Sequence, residues 1–344
     1  MKQPVLFLML AVVAVACNTP APENEAAPAY LESRSGAVER IDPALDALID
    51  VDAPLEVLAE GFEWSEGPVW VAAENHVLFT DIPRNTIYQW SEDEGLNVFL
   101  RPAGYNRDDP QGKELGANGL LIDSEGRLVM CNHGFRAVTR LDPFNHTHTV
   151  LADSHDGKRL NSPNDGVFKS NGALYFTDPS YGLEGINNSP HKEQPHNGVY
   201  RLDETGEVTL LTTQMTNPNG IGFSPDESVL YVAQSDYETP VLRAFDVQDD
   251  GTLAEGRLFY DAAPQRDAGG KGLPDGLAVD QAGNVFATGP GGVLIINPEG
   301  KLLGTIQTGE ATANCAFGDD GRTLYITADM YLMRIRLKTK GLGF

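Results

Sequence analysis

The sequence predicts an all-β fold, a six-bladed β-propeller with four-stranded antiparallel blades, on the basis of three observations. A pattern of turn, short apolar strand, Gly- or Asp-containing turn and second β-rich strand occurs six times after residue 65. The chain of 344 residues contains 36 glycines and 22 prolines, as expected for many short strands joined by turns. No stretch shows the sustained 3.6-residue periodicity of amphipathic helices, which argues against a solenoid of helix pairs.

The six copies of the repeat define the six blades. Each copy has an apolar residue four positions after its start, and the starts are Glu66, Asn118, Asn164, Asn219, Asp275 and Ala313. They lie 52, 46, 55, 56 and 38 residues apart, and each interval can accommodate a four-stranded blade with its turns. The sixth copy leaves room for only three strands. We therefore expect residues 55–58 to supply the fourth strand, which would close the ring and cover exposed sheet edges.

The first 50 residues are predicted to lie outside the propeller, which would span residues 51–344. Residues 1–16 are interpreted as a signal peptide of the lipoprotein type, because the apolar run 5–16 is too short to cross a bilayer. The string AVAC at 14–17 resembles a bacterial lipobox, in which Cys17 would carry the lipid; an ordinary cleaved signal with an incidental cysteine is the alternative. Residues 17–50 are expected to form a disordered tether, since their first half is rich in Ala, Pro, Glu and Ser. These features predict an exported bacterial protein, periplasmic or anchored to the membrane only through Cys17.

A ring of side-chain oxygens is expected at one mouth of the central channel. The innermost strands of a propeller surround this channel, so the residue before each of them lies at one end of it. Five of the six repeat starts carry a side-chain oxygen: Glu66, Asn118, Asn164, Asn219 and Asp275. Turn chemistry favours Asn and Asp at such positions, but it does not favour Glu. Carboxylate and amide oxygens together are the ligands that a hard cation such as Ca²⁺ requires.

Several other chemistries lack their sequence signatures. Only His146 and His148 form a close histidine pair, beside a predicted turn, which disfavours a zinc site. A glycine-rich nucleotide loop, a GxSxG elbow and a redox CxxC are absent from the sequence. The net charge of −24, from 25 basic and 49 acidic residues, argues against nucleic acids and anionic membrane surfaces as partners. Cys131 and Cys315 are expected to be free buried thiols rather than a disulfide.

At these residues the chain resembles the senescence-marker, gluconolactonase and luciferin-regenerating-enzyme-like family, and most of all its bacterial gluconolactonase branch. The similarity runs from about residue 55 to about residue 337, and its motifs are Glu66-Gly-Pro-Val-Trp70, Asn161-Ser-Pro-Asn164-Asp165, Tyr175-Phe-Thr-Asp-Pro179, Asn217-Pro-Asn219-Gly220 and Pro274-Asp275-Gly276. The resemblance implies a lactonase that opens sugar lactones such as gluconolactone. It also implies metal ligands at Glu66, Asn164, Asn219 and Asp275, with Ca²⁺ as the metal, replaceable by Mg²⁺, Mn²⁺ or Zn²⁺. Animal members have an arginine where this chain has Ser162, so their mode of holding the sugar is not carried over.

The expected reaction is attack of water on a lactone carbonyl that the metal polarises. Asp275 is the predicted catalytic residue, either as general base or as a nucleophile that attacks directly. The loops after the second strands open on the same face, and the candidate substrate-binding residues are Asn118, His133, Asp178 and Tyr181. The long loop 182–197 is either a lid or a plain mobile surface loop.

Two alternatives to a lactonase stay open at this point. The same metal site would serve a hydrolase of organophosphates or other esters. The chain would otherwise be a non-catalytic binding propeller with a structural Ca²⁺. Against the second alternative, four side-chain ligands leave part of the six to eight coordination positions of Ca²⁺ for water or substrate.

Overall fold

The computed structural model describes residues 30–105 and 114–344. In these residues six antiparallel sheets follow one another along the chain, and their innermost strands contact each other in a closed ring. The prediction of a six-bladed propeller is therefore confirmed. The expected signal peptide and Cys17 lie outside the described residues. No helix within the described part of the chain is long and apolar enough to span a membrane.

The blades are numbered in chain order, and their strands are given from the axis outward. Blade 1 has Ser65–Val71, His76–Asp81, Thr86–Ser91 and Gly95–Leu100; blade 2 has Ala117–Ile122, Leu128–Asn132, Ala137–Leu141 and His148–Ala152; blade 3 has Gly166–Phe168, Leu174–Asp178, Gly198–Leu202 and Val208–Thr212. Blade 4 has Pro218–Phe223, Val229–Gln234, Val241–Asp246 and Arg257–Asp261; blade 5 has Leu277–Val279, Val285–Gly289, Gly292–Ile296, Leu302–Ile306 and Val38–Arg40; blade 6 has Thr312–Gly318, Thr323–Ala328, Tyr331–Arg336, Leu55–Glu60 and Glu32–Arg34. The remaining elements are the hairpin Ser154–His155 and Lys158–Arg159, the 3₁₀ helices Pro43–Ala47 and Ile186–Asn188, and the short α-helix Ala263–Asp267.

The ring is closed by pairing the two ends of the propeller domain, as predicted. Strand Leu55–Glu60 runs antiparallel to Tyr331–Arg336 in blade 6. Across this pair the Arg334 guanidinium donates to the Glu56 carboxylate at 2.6 Å, and both side chains are largely buried. Blade 6 thus joins residues almost 280 positions apart, and it ties the segment that leads into blade 1 to the last strands of the chain.

Residues 30–50 differ from the prediction of a disordered tether. Glu32–Arg34 extends blade 6 by pairing with Leu55–Glu60, and Val38–Arg40 extends blade 5 by pairing with Leu302–Ile306. Leu45, in the short 3₁₀ helix, is fully buried in the adjoining apolar core. The prediction was wrong here because composition averages over the segment, whereas a few apolar side chains and backbone pairing with open sheet edges suffice to order it.

The core consists of apolar clusters between neighbouring blades. Between blades 1 and 6, for example, Trp70 stacks on Tyr325 with ring centroids 5.7 Å apart. Between blades 5 and 6, Phe286 meets Phe317 edge to face at 5.3 Å. Cys131 and Cys315 are free and buried, as expected.

Candidate active site at the channel mouth

The first residue of each repeat copy, called here the slot residue, lies at the inner end of its blade. Slot residues Glu66, Asn118, Asn219 and Ala313 are each the second residue of an innermost strand, and Asn164 and Asp275 lie two residues before one. Next to the slot, the innermost strands of blades 1, 2, 4 and 6 shift register against their neighbours. Such irregularities bend a strand and redirect its side chains. The ring of slot residues that the repeat predicted is therefore present.

The residue after the slot is glycine in four blades, because backbone or side-chain atoms of the next blade lie close to it. The Gly220 N–H donates to the Asp275 carbonyl oxygen at 3.0 Å, and a Cβ at Gly220 would lie 2.2 Å from that oxygen. A Cβ at Gly67 would lie 2.1 Å from the Asn118 carbonyl oxygen. No real side chain tolerates such distances. The glycines therefore let neighbouring slot residues sit backbone against backbone around the axis.

Blades 3 and 6, opposite each other in the ring, have Asp165 and Asn314 in place of this glycine. Asn314 Nδ2 donates to Asp165 Oδ2 at 3.3 Å across the channel, and both residues are buried. Burial raises the pKa of Asp165 to about 7, although hydrogen bonds from Gly166 and Asn314 act against the rise. Both residues line a cavity of about 1220 Å³, whereas Asp275 lines a different one. The pair thus lies beneath the slot ring, and sequence analysis missed it.

The two slot carboxylates have the electrostatics of a cation site. Burial raises the pKa of Glu66 to about 8, against a 2.7 Å hydrogen bond from the Gly67 N–H. Burial, and then the charges of Glu66 and Asp165, raise the pKa of Asp275 well above its usual range. Asp275 Oδ1 is buried and has no hydrogen-bond partner. No basic side chain in the described residues forms an ion pair with either carboxylate.

This donor set fits a hard divalent cation. Asn164 and Asn219 are buried beside the two carboxylates in the ring, so two charged and two neutral oxygens are available. The described residues contain no group of three His, Cys, Asp or Glu side chains placed to hold a metal, so the candidate set depends on amide oxygens as well as carboxylates. The four residues would bind a cation through carboxylate and amide oxygens alone.

A cavity of about 560 Å³ opens above Asp275. Its wall includes Trp64, Tyr237 and Arg266, and the Arg266 guanidinium lies over the Tyr237 ring, 5.0 Å from its centroid. Tyr181 spans from blade 3 to blade 4, where its hydroxyl donates to the Ser235 carbonyl oxygen at 2.8 Å. Burial, followed by the charge of Asp275, raises the pKa of the Tyr181 hydroxyl. Tyr181 therefore stays a candidate for substrate contact beside Asp275.

Asp178 has a different role from the predicted one. It is fully buried, and its two carboxylate oxygens accept the N–H groups of Asn161 and Ser162, both at 2.8 Å. These residues belong to the loop that presents Asn164. In blade 1 the buried Asp81 similarly accepts the N–H groups of residues 63 and 64, ahead of slot residue 66. The prediction that Asp178 binds substrate is corrected, because its oxygens are used to hold the loop that carries a slot residue.

His133 and Asn118 lie together at the mouth of blade 2, with a third residue that the sequence did not single out. His133 Nδ1 is 3.0 Å from Glu114 Oε2, and His133 Nε2 is 3.5 Å from Asn118 Nδ2. His133 and Asn118 are buried, and about a fifth of the Glu114 side chain is exposed. Glu114 lies four residues before the second repeat start, and the equivalent position is not acidic in any other copy, so no periodic signal marked it.

The loop 182–197 is packed onto the propeller. Lys192 Nζ donates to the His196 carbonyl oxygen at 2.8 Å and to Asn197 Oδ1 at 2.7 Å. Gln194 Nε2 donates to two carbonyl oxygens of the hairpin Ser154–His155 and Lys158–Arg159. Burial lowers the pKa of Lys192 to about 8. These contacts argue against a plain mobile surface loop.

A family model described as SMP-30/Gluconolactonase/LRE-like region matches residues 64–329, more than half of the chain. The chain belongs to this family. The range includes every slot residue, so the ring described above is a feature of a propeller of the SMP-30/gluconolactonase type. The resemblance drawn from the sequence motifs is thus confirmed.

Two relatives in this family cover nearly the whole chain. A gluconolactonase from Zymomonas mobilis is 40% identical over 314 residues, which are 90% of this chain and 88% of the relative. The solved gluconolactonase from Xanthomonas campestris has a TM-score of 0.77 and 32% identity, covering 91% of this chain and 97% of that one. A calcium-binding protein, regucalcin, from Agrobacterium tumefaciens shares the fold, with a TM-score of 0.66 and 20% identity over 83% of this chain and 94% of that one.

Proposed function

We propose that this protein is a metal-dependent lactonase that opens sugar lactones such as gluconolactone, with Ca²⁺ bound by Glu66, Asn164, Asn219 and Asp275. The lactonase class rests on family membership and on 40% identity to a gluconolactonase. One structural observation carries the metal: two carboxylates, Glu66 and Asp275, lie at the channel mouth with raised pKa values and without a basic partner. Ca²⁺ is favoured because all four donors are oxygens and two are neutral amides.

A bound divalent cation would polarise the lactone carbonyl and stabilise the negative charge that develops on its oxygen. Asp275 is the proposed general base. Its Oδ1 is buried without a hydrogen-bond partner, so it is available to take a proton from the attacking water. Glu66 is less suited to this step, since its Oε2 already accepts the Gly67 N–H at 2.7 Å.

The walls of the cavity above Asp275 suit a small polyhydroxylated substrate. Trp64 and Tyr237 supply aromatic surface, and Arg266 supplies a donor group. Tyr181 and Asn118 are proposed to bind substrate from either side of the ring. Asn164 and Asn219 have a second effect, because neutral ligands leave the cation more net positive charge than four carboxylates would.

A proton-release assay over a panel of lactones and esters tests this function. We expect hydrolysis of aldonolactones, loss of the activity in chelator and its return with added Ca²⁺. The panel should include homoserine lactones and phosphotriesters, because the same ligand set would serve other esters. Hydrolysis of phosphotriesters without lactones would replace the proposed substrate class. Absence of hydrolysis throughout, with Ca²⁺ bound, would instead indicate a binding propeller.

We further propose that the protein is exported and lipidated on Cys17. The apolar run 5–16 followed by the string AVAC supports this. The net charge of −24 leaves the lipid as the expected means of membrane attachment, because an acidic surface is repelled by anionic headgroups.

A further inference from the structure

Three polar side chains form a line that ends in the slot ring. Glu114 contacts His133 Nδ1 at 3.0 Å, and His133 Nε2 contacts Asn118 Nδ2 at 3.5 Å, a long hydrogen bond. Asn118 is the slot residue of blade 2, between Glu66 of blade 1 and Asn164 of blade 3. The slot ring thus has a fifth oxygen-bearing side chain in addition to the four proposed metal ligands.

The chemistry of the three groups determines how Asn118 is oriented. An ionised carboxylate only accepts hydrogen bonds, so Glu114 requires the proton of the neutral imidazole to be on Nδ1. Nε2 is then an acceptor and must receive an N–H from the Asn118 carboxamide. The amide nitrogen of Asn118 therefore faces His133, and its Oδ1 lies on the other side of the carboxamide. The same logic fixes the tautomer of histidines that are backed by a carboxylate at other sites.

The packing around His133 holds it in this place. A Cβ added to Gly182 would lie 2.8 Å from His133 Cβ and 2.9 Å from its Cγ. Gly182 begins the long loop of blade 3, so the imidazole is clamped between that loop and its own blade. His133 is also tied at its backbone, where its N–H donates to the Gly116 carbonyl oxygen at 3.2 Å. The ring of His133 cannot turn away from Asn118 without moving the loop.

We propose that Glu114 and His133 position Asn118 Oδ1 as an acceptor for a hydroxyl group of the substrate, and that this acceptor selects hydroxylated lactones over unsubstituted ones. The inference rests on the proposed lactonase function and names the residues that would set its preference for hydroxylated substrates. Asn118 is buried, so an oxygen held in this way is left without a partner when a substrate lacks the hydroxyl. Sites built to bond a hydroxyl discriminate strongly against analogues without it for this reason. Glu114 and His133 are positioning residues, whereas Asn118 would touch the substrate.

The test compares kcat/KM for glucono-δ-lactone with kcat/KM for δ-valerolactone, which has the same ring size without hydroxyl groups. We expect the ratio of the two values to fall about tenfold or more in Asn118→Ala, the scale of a lost buried hydrogen bond. Glu114→Ala and His133→Phe should lower the ratio in the same direction. Glu114→Gln should keep it within a few-fold, since its amide oxygen still accepts the His133 Nδ1–H. His191→Gln, at an exposed position of the neighbouring loop, is the matched control.

Three outcomes would overturn the inference. Equal losses for both lactones would mean that the three residues support the site without selecting the substrate. A Ca²⁺ affinity that falls tenfold or more in Asn118→Ala, measured by calorimetry without substrate, would make Asn118 a fifth metal ligand instead. A ratio unchanged in Glu114→Ala, which alters a partly exposed side chain and should fold, would remove the positioning role. Failure of the parent protein to open any lactone would instead contradict the proposed function. The assay of the parent protein alone separates this outcome from a failure of the inference about Asn118.

Discussion

Asp275→Asn is the sharpest perturbation of the proposed reaction. The substitution keeps the shape of the side chain and one oxygen that can bind a cation. It removes one of the two negative charges among the four proposed ligands, and it removes the basic oxygen that lies buried without a hydrogen-bond partner. Binding and catalysis should therefore respond differently, because Glu66, Asn164 and Asn219 still offer three donors.

The substitution should lower turnover and raise stability in chelator, for separate physical reasons. Loss of a general base lowers turnover by roughly 10² or more. In chelator the same change should stabilise the protein, since the charge of Glu66 is the second cause of the raised Asp275 pKa, after burial. We therefore expect a higher Tm for Asp275→Asn than for the parent in chelator.

The assay measures gluconolactone hydrolysis at saturating Ca²⁺, after calorimetry has shown that the site of the variant is filled. Asp93→Asn, at an exposed turn of blade 1, removes the same charge away from the axis and is the matched control. If the Ca²⁺-saturated Asp275→Asn protein hydrolyses the lactone within a few-fold of the parent, Asp275 is a ligand only. The base would then have to be sought at the rim of the channel, with His133 first. A lower Tm in chelator would separately contradict the electrostatic argument.

Three further predictions follow from the charges, the N-terminal segment and the leader. The pKa of Glu66 is raised to about 8, and that of Asp275 is raised in the same direction. In chelator, the contribution of the two groups to stability is therefore complete below the ordinary carboxyl pKa and is lost as the pH rises through about 8. Saturating Ca²⁺ should remove most of this fall in Tm, and parallel curves of Tm against pH with and without Ca²⁺ would contradict the prediction. Leu45→Ala should cost about 2–5 kcal/mol in urea unfolding, because Leu45 is fully buried, whereas the exposed Leu31→Ala should cost little; equal effects would mean that the segment does not pack as described. The Cys17→Ser variant should be lost from the membrane fraction. Unchanged partitioning of the variant between membrane and soluble fractions would favour an ordinary cleaved signal.

The architecture could be predicted because the copies of the repeat fold in the same way and are arranged around one axis. A residue at the same place in every copy must lie at the same place in every blade, so aligned oxygens become a ring without any knowledge of contacts. The short sixth copy likewise required a strand from elsewhere, and Leu55–Glu60 supplies it. Periodicity says nothing, however, about residues that occur once. Glu114 lies between repeat copies, and only the folded chain brings it to His133.

Asp178 shows a second limit of reasoning from position. It ends a second strand and faces the mouth of the channel, which is the place expected of a substrate ligand. Its side chain is nevertheless fully buried, and its two oxygens accept the N–H groups of Asn161 and Ser162. Burial raises its pKa to about 7, and those hydrogen bonds act against the rise. A loop that carries a slot residue needs hydrogen-bond partners for its own backbone N–H groups. The position of a carboxylate in the repeat does not show whether it serves such a loop or binds substrate.

Asp165 and Asn314 show that departures from a repeat can be as informative as the repeat itself. Gly67, Gly119 and Gly220 are required where a neighbouring backbone leaves no room for Cβ, and Gly276 is required where the Asn314 side chain leaves none. The two copies without this glycine belong to opposite blades, and their side chains meet on the axis at 3.3 Å. Four glycines and one hydrogen-bonded pair therefore form a single layer beneath the slot ring. Within this layer the N–H groups of Gly119, Gly220 and Gly276 donate to the carbonyl oxygens of slot residues Asn164, Asp275 and Ala313. These hydrogen bonds tie neighbouring slot residues together above the cavity on the axis, so the two carboxylates are held close to each other by the backbone of the ring.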